Sequence, residues 1–199
     1  MEAMSRTLLL QVMASHFIIL ALLSSSAITQ LSASSSHEYV QTLDPKLMGL
    51  KEEKLTHFKL YLHDIYSGKQ PSAIPIVASP LNNTIGFGFL SMIDDPLTVA
   101  HQASSKLTGK AQGFYGQASQ EGAGLIMVMN FVFTEGKYNG STIAILGKNA
   151  AMSKVREMPV VGGSGVFRFA RGYVQASTYS FNQTSGDAIV GYDVYVLHY

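Results

Sequence analysis

Apolar and polar residues alternate along most of the chain from about residue 55 onward, with a period of two rather than the 3.6 of a helix. Turn-forming residues interrupt this alternation at short intervals. Sequential strands joined by short links indicate an up-and-down antiparallel β-barrel more than a Greek-key sandwich. We therefore predict an all-β fold with one eight-stranded barrel over residues 55–199, its strands lying near residues 57–66, 74–78, 85–93, 110–118, 125–134, 141–148, 166–179 and 188–198.

The N-terminal residues have the composition of a secretory signal peptide, in which a basic residue precedes an apolar stretch and small residues follow. Gln11 and His16 interrupt the apolar stretch, so a cleaved peptide is favoured over an uncleaved membrane anchor. We predict a signal peptide over residues 1–27, with a boundary as late as residue 36, and a largely unstructured leader over residues 28–54. The barrel would then be secreted to the extracellular space.

The amino-acid composition excludes several classes of function. The chain is 47% hydrophobic, has a net charge of +1 and carries no basic run, which excludes the electrostatic footprint of a nucleic-acid-binding protein. It has no cysteine, which excludes thiol redox chemistry and thiolate metal sites. His57 and His63 are predicted to face solvent, and no histidine has metal-binding spacing. We predict no metal and no cofactor. We interpret the Asp94-Asp95 pair beside Pro96 as a solvated turn, with a metal-binding or acid/base pair as the less favoured alternative.

Three Asn-x-Ser/Thr acceptors occur, at Asn82, Asn139 and Asn182. Two of them, Asn139 and Asn182, lie in turns, which suits surface glycosylation of an exported glycoprotein. Such triplets also arise by chance. We predict that two of the three are used.

A carboxyl group is predicted to end an inward apolar row in the first strand. Phe58, Leu60, Leu62 and Asp64 share one face of that strand because side chains alternate. A carboxylate at such a position pairs with a cation or keeps its proton, and Arg171 is the predicted partner. The alternative is that Asp64 caps the turn that follows the strand.

The segment 166–179, interpreted as one strand, places Arg171 on the same face as Phe167, Phe169 and Tyr173. An unpaired guanidinium among aromatic rings has a high desolvation free energy, so some interaction must offset it at Arg171. Either it stacks on the rings and pairs with a carboxylate for structure, or it supplies a fixed positive charge to a binding cavity. Tyr115 is likewise either a core residue or a phenol presented to that cavity.

Together these stretches resemble the plant dirigent protein family, and they run in order over essentially all of the domain from residue 58 onward. The stretches are residues 60–65 (LYLHDI), 94–98 (DDPLT), 109–115 (GKAQGFY), 129–134 (MNFVFT), 138–142 (YNGST), 156–163 (REMPVVGG) and 169–173 (FARGY). The resemblance implies an eight-stranded antiparallel barrel of the allene-oxide-cyclase type. It also implies a homo-oligomer, usually a trimer with a dimer as the alternative, that is secreted to the apoplast.

The resemblance also implies a function. Family members bind phenoxy radicals or quinone methides from phenylpropanoids and make their coupling stereoselective, as in lignan biosynthesis, while a separate laccase or peroxidase supplies the radicals. Carried over by motif, Asp64 is the cavity acid, Tyr115 the cavity tyrosine and Arg171 the cavity arginine. Phe167, Phe169 and Tyr173 would then bind the substrate.

One departure from the family pattern opens a second function. Val166 follows Gly163-Ser164-Gly165 where lignan-coupling members carry an acid, so a second cavity acid is predicted to be absent. This points towards the pterocarpan-forming branch, whose members dehydrate an isoflavanol through a quinone methide. A cell-wall binding module without turnover is the third hypothesis.

Overall fold

The structure is a computed structural model that describes residues 40–81 and 86–199. Residues 45–199 form one compact unit, and residues 40–44 before it are all exposed. The predicted signal peptide and the acceptor Asn82 lie outside the described residues. Within the described part of the chain, no helix is long and apolar enough to span a membrane.

Nine strands are present in the described residues. They are β1 (Lys54–Asp64), β2 (Ala73–Val77), β3 (Leu90–Thr98), β4 (Leu107–Gln117), β5 (Leu125–Phe133), β6 (Thr142–Asn149), β7 (Arg156–Ser164), β8 (Arg171–Phe181) and β9 (Ala188–His198). Two short 3-10 turns occur as well, at Gly136–Tyr138 and Gly165–Phe167. Strands therefore carry almost all of the regular structure, as the alternating pattern predicts.

The sheet closes into a barrel because β1 pairs on both of its sides. It pairs with β9 along its whole length and with β3 through Tyr61 opposite Thr98 and Leu62 opposite Leu97. Every neighbouring pair is antiparallel, in the order β1-β9-β8-β7-β6-β5-β4-β3. The short strand β2 adds only to a free part of β3. The predicted closed eight-stranded antiparallel barrel is thus confirmed.

The membership of the barrel differs from the prediction in one strand. The predicted strand at residues 74–78 is β2, which lies outside the closed ring, and the eighth barrel strand is β7, which the sequence prediction missed. Pro159, Gly162 and Gly163 make β7 look like a turn. The ladder from β7 to β6 begins only at Val160, after the proline, so the missing N–H of Pro159 costs no bond to β6.

Aromatic side chains fill one end of the barrel. The ring of Phe58 lies 5.1 Å from those of Phe133 and Tyr138, and the Phe167 ring lies 5.3 Å from Tyr138 and 5.0 Å from His198, measured between centroids. Phe167 is fully buried in this cluster. Rings packed at such distances bury much apolar area and leave little space between them. Space for a ligand is therefore found at the opposite end, where β1 ends and β9 begins.

Candidate functional site

The other end of the barrel contains a cavity of about 640 Å³. This volume lies within the range of small-molecule sites. Much of the wall is apolar, with Leu62, Phe89, Ile93 and Met127 among its residues. The polar and charged groups that interrupt it include Asp64, Tyr66, Asp95, Tyr115, Asn149, Arg156 and Thr178. Few polar groups in a largely apolar cavity suit a ligand that is mostly aromatic and has a small number of oxygen atoms.

Asp64 ends β1 on the cavity side, directly after the inward Leu60 and Leu62. Its Oδ2 accepts a 2.8 Å hydrogen bond from the Tyr115 hydroxyl, while its Oδ1 is buried without a partner in the described structure. Burial raises the pKa of Asp64 to about 6, against the opposing effect of the Tyr115 bond. Asp187, not Asp64, caps the following turn, since Asp187 Oδ1 accepts the N–H groups of Tyr66 and Ser67.

Tyr115 belongs to a chain of hydroxyl groups. Its oxygen lies 2.7 Å from that of Tyr66, which in turn lies 2.5 Å from Ser91 Oγ. Burial raises the pKa of both tyrosines, so both phenols stay protonated at neutral pH. Because each hydroxyl has a single hydrogen, Tyr115 can donate to Asp64 only when Tyr66 donates to Tyr115 and Ser91 donates to Tyr66. The carboxyl of Asp64 is thus connected to β4 and β3 through hydroxyl groups.

Asp95 is a second cavity acid, which the sequence analysis missed. The Asp94-Asp95 pair lies inside β3 rather than in a turn, so the two side chains face opposite sides. Asp94 is exposed and pairs with Lys110, whereas Asp95 is fully buried. Ser72 Oγ donates a 2.6 Å hydrogen bond to Asp95 Oδ1, and Oδ2 is buried without a partner in the described residues. Burial, and next the charge of Asp64, raise the pKa of Asp95 to about 8.

The expected solvated turn at residues 94–95 is therefore wrong for Asp95, and so is the expected absence of a second cavity acid. Pro96 does not end the strand because it lies where β3 passes from its pairing with β2 to its pairing with β1. Continued alternation would have identified the inward acid, since Ile93, Asp95 and Leu97 share one face.

Arg156 is a buried cation in the cavity wall, and it was not among the predicted site residues. Lys154, which also lines the cavity, is exposed. Arg156 begins β7 on the inward face and is 4% exposed. Its Nε donates to Asn149 Oδ1 at 3.0 Å and its Nη1 donates to Thr178 Oγ1 at 2.9 Å. No carboxylate pairs with it in the described part of the chain. Burial lowers its pKa, and an unneutralised buried cation is suited to hold a ligand oxygen that carries negative charge.

Arg171 does not line this cavity, so its predicted pairing with Asp64 is wrong. Its side chain is 59% exposed, and its Nη1 lies 2.6 Å from Glu53 Oε1. The 3-10 turn at Gly165–Phe167 and the positive φ of 63° at Phe169 interrupt the alternation before β8 begins. The inward positions of β8 are consequently the buried Val174 and Ala176.

The position along the strand also separates the two residues. Arg171 lies opposite Leu197 at the end of β9, whereas Asp64 lies opposite Ala188 at its start. They are therefore at opposite ends of the barrel.

The three predicted substrate-binding aromatic residues are also placed elsewhere. Phe167 belongs to the aromatic cluster that fills the other end, and Phe169 is 55% exposed. Tyr173 is 39% exposed and stacks on Tyr195 outside the barrel, at 4.9 Å between centroids. The described wall of the cavity contains none of them. The aromatic residues that do line the cavity are Tyr66, Phe89, Tyr115, Phe181 and Tyr192.

The remaining predictions from the sequence concern two histidines and two glycosylation acceptors. His57 is exposed as predicted, but His63 is buried and lies 2.8 Å from Thr98 Oγ1, so its predicted solvent exposure is wrong. Thr98, at the end of the neighbouring strand β3, provides this contact, which alternation within β1 does not reveal. Asn139 and Asn182 are exposed, and glycosylation at either one stays a prediction.

Comparison with known proteins shows similarity to one protein family. The family model described as "Dirigent-like protein" matches residues 55–197. The chain is 54% identical over 168 residues to Dirigent protein 7 of Arabidopsis thaliana, covering 84% of this chain and 90% of that protein. It is 52% identical over 165 residues to Pterocarpan synthase 1 of Glycyrrhiza echinata, covering 81% and 87%. The solved structure of a pterocarpan synthase dirigent protein matches with a TM-score of 0.74 at 49% identity, covering 80% of this chain and 99% of that one.

Proposed function

This chain belongs to the dirigent-like protein family, and we propose that within it the protein is a dehydratase that forms a quinone methide and closes a ring stereoselectively. One observation carries this proposal. Two acids, the half-buried Asp64 and the fully buried Asp95, line one cavity, and each has a buried oxygen without a partner in the described structure. Buried polar atoms are nearly always hydrogen-bonded, so two orphaned carboxyl oxygens in a cavity suit contact with a ligand. The similarity to pterocarpan synthases supports the same chemistry.

The substrate class is a phenol with a hydroxyl group on the benzylic carbon conjugated to it, such as an isoflavanol, and with a second phenol nearby. One acid donates its proton to the leaving hydroxyl, the C–O bond breaks and water departs. The conjugated phenol gives its proton to the other carboxylate, which leaves a neutral quinone methide. The second phenol then adds its oxygen to the methide carbon.

Proton transfers in this second step restore both acids. The proton of the adding phenol goes to the acid that protonated the leaving group, while the other acid returns its proton to the quinone-methide oxygen. The net reaction is the loss of one water, with no oxidant and no cofactor in any step. The two raised pKa values, about 6 for Asp64 and about 8 for Asp95, fit one proton acceptor and one proton donor near neutral pH.

Arg156 would stabilise charge during the reaction, and the apolar wall would orient the intermediate and exclude water. The guanidinium would stabilise negative charge that develops on a phenolic oxygen when its proton leaves. The wall holds the intermediate in one orientation, so that the second phenol attacks a single face, and it keeps water from adding to the methide instead. Stereoselectivity thus follows from confinement in a cavity of about 640 Å³.

Stereoselective radical coupling, the first expectation from the sequence, is the second candidate. The 54% identity to a protein named as a dirigent protein favours it. In that case a separate laccase or peroxidase would supply phenoxy radicals, and the cavity would only orient them. Secretion to the apoplast and assembly into a homo-oligomer accompany either candidate as proposals.

A single assay separates the candidates. The purified protein is incubated with an isoflavanol that carries a second phenolic hydroxyl, without any oxidant, and the products are analysed by chiral chromatography. We expect one enantiomer of a product lighter by one water. The D64N and D95N variants should lose this activity, while D94N, which changes the adjacent outward acid, should keep it.

A parallel incubation with a monolignol and laccase tests the second candidate. Enantiomeric excess only in that reaction would overturn the dehydratase in favour of radical coupling. No selective product in either reaction would overturn both and favour a cell-wall binding module.

A further inference from the structure

Ser72 lies behind the cavity wall, in the connection between β1 and β2, where hydrogen bonds to Ile65 and to Asp94 of β3 hold its main chain. Its N–H donates to the carbonyl of Ile65 at 2.8 Å, and its carbonyl accepts from the N–H of Asp94 at 2.9 Å. Its hydroxyl oxygen also accepts the N–H of Ile65, at 3.1 Å. These bonds fix the main chain and the hydroxyl oxygen of Ser72. The remaining question is which acceptor its single hydroxyl hydrogen bonds.

That hydrogen has two acceptors within reach. Asp95 Oδ1 lies 2.6 Å from Ser72 Oγ, whereas the carbonyl oxygen of His63 lies 3.2 Å away. The shorter contact is the stronger bond, so Ser72 donates to Asp95. Asp95 Oδ1 is therefore an acceptor whether or not the carboxyl group is charged. When Asp95 is protonated, its hydrogen lies on Oδ2, the buried oxygen without a partner in the described residues.

We propose that Ser72 is a positioning residue that keeps the acidic hydrogen of Asp95 on Oδ2, directed at the substrate, and so makes Asp95 the donor to the leaving hydroxyl group. This inference rests on the proposed dehydratase function. Asp64 is then the proton acceptor, and the Tyr115 hydroxyl at 2.8 Å stabilises its charged form. The proton leaves Asp95 Oδ2 as the C–O bond breaks, and the phenolic proton goes to Asp64.

Other ionisable groups also act on Asp95, but they are the same in every Ser72 variant. Those that interact electrostatically with it are Asp64 from β1, Asp94 from its own strand, Tyr66 from the β1–β2 connection and Tyr192 from β9. Arg156 from β7 lines the same cavity. A change in the titration of Asp95 on substitution of Ser72 therefore reports on the lost hydroxyl group.

The first test measures the titration of Asp95 directly, by carbon NMR of the carboxyl groups, with D95N used to assign the signal. A hydroxyl donor favours the charged carboxylate, so S72A should titrate at a higher pH than the wild-type protein. S72T keeps a hydroxyl group and should restore the wild-type titration. S119A is the matched control, because the Ser119 hydroxyl bonds only backbone groups of its own loop. An unchanged titration in S72A would overturn the proposal.

The second test measures kinetics with the isoflavanol. Misdirecting the acid should lower kcat by up to ~10²-fold with little change in KM, because substrate binding does not involve Ser72. The alkaline limb of the pH profile should move to higher pH in S72A and not in S72T or S119A. A fall in kcat that follows only a lower melting temperature, with no movement of that limb, would overturn the proposal.

If the proposed dehydratase function were wrong, the experiments would give a different result from the one that overturns the role of Ser72. In that case the wild-type protein releases no water from the isoflavanol, although S72A still shifts the titration of Asp95.

Discussion

The hydroxyl group of Tyr115 donates a hydrogen bond to Asp64 Oδ2 across the open end of the barrel, at 2.8 Å. The bond joins β4 to the end of β1 and favours the charged form of Asp64. Burial works against it and is the larger effect, so the pKa of Asp64 rises to about 6. An acid held between these two influences can both accept and return a proton near neutral pH.

Asp64→Asn should abolish this exchange with little change in shape. We expect product formation from the isoflavanol to fall by ~10²-fold or more, the usual effect of losing a general acid or base. The melting temperature should not fall at neutral pH, because the substitution removes a buried charge. Chiral chromatography and thermal unfolding measure the two effects. Full activity in this variant would contradict the role of Asp64.

Stability should depend on pH through the two cavity acids, Asp64 and Asp95. The folded pKa of Asp64 is raised to about 6 and that of Asp95 to about 8, both above the ordinary value of 3.8. Their stabilising contribution is therefore complete below about pH 4 and is lost as the pH rises through the folded pKa values. Urea unfolding at about pH 5 and about pH 8 should show a lower free energy of unfolding at the higher pH, by at least ~1 kcal/mol.

Asp95→Asn should flatten this dependence in its upper part, because an amide does not titrate. Asp94→Asn is the matched control, since Asp94 is largely exposed and its pKa is lowered. Equal pH dependence in D95N and in the wild-type protein would show that Asp95 is not titrating in this range.

The two arginines offer a matched pair. Arg156→Lys keeps the charge in the cavity but loses the planar group that bonds Asn149 and Thr178. We expect activity to fall by about tenfold or more, as for a lost hydrogen bond to a charged group. Arg171→Lys changes an exposed residue paired with Glu53 and should leave activity unchanged. Kinetics of both variants check this, and the reverse order of effects would return Arg171 to the site.

An apolar row on the outside of the barrel is the predicted contact between copies of the chain. Register partners on β2 to β6 align Ile74, Met92, Phe114, Val128 and Leu146 across five strands. Ile74, Met92 and Leu146 are 46%, 43% and 46% exposed. Contiguous apolar surface of this kind marks interaction sites. With no cysteine to crosslink the chain, the melting temperature should rise with protein concentration if copies associate there.

Replacing Met92 and Leu146 together by lysine should produce a monomer in analytical ultracentrifugation and remove the concentration dependence of melting. Val161→Lys, at a position on β7 that is 57% exposed, is the control for added charge. A monomeric wild-type protein with concentration-independent melting would contradict the proposed assembly.

Alternation and turn chemistry were sufficient to predict an all-β barrel, because each strand carries its own period of two. The same local rule placed Asp64 on the cavity side, at the end of the row that contains Leu60 and Leu62. The absence of cysteine also needed no coordinates. The family could be inferred from short stretches that run in order along the domain, and the match over residues 55–197 confirms it.

Tertiary structure alone decided which side chains share the cavity. Alternation is a local rule, and the 3-10 turn before β8 together with the positive φ of Phe169 reverses its phase, which turns Arg171 outward. Strand register then determines the end of the barrel that each residue reaches. The pairing of β1 with both β9 and β3 closes the ring, and this closure brings Asp95 and Arg156 to the same cavity as Asp64. These residues are far apart in sequence, so no pattern within one strand indicates that they meet.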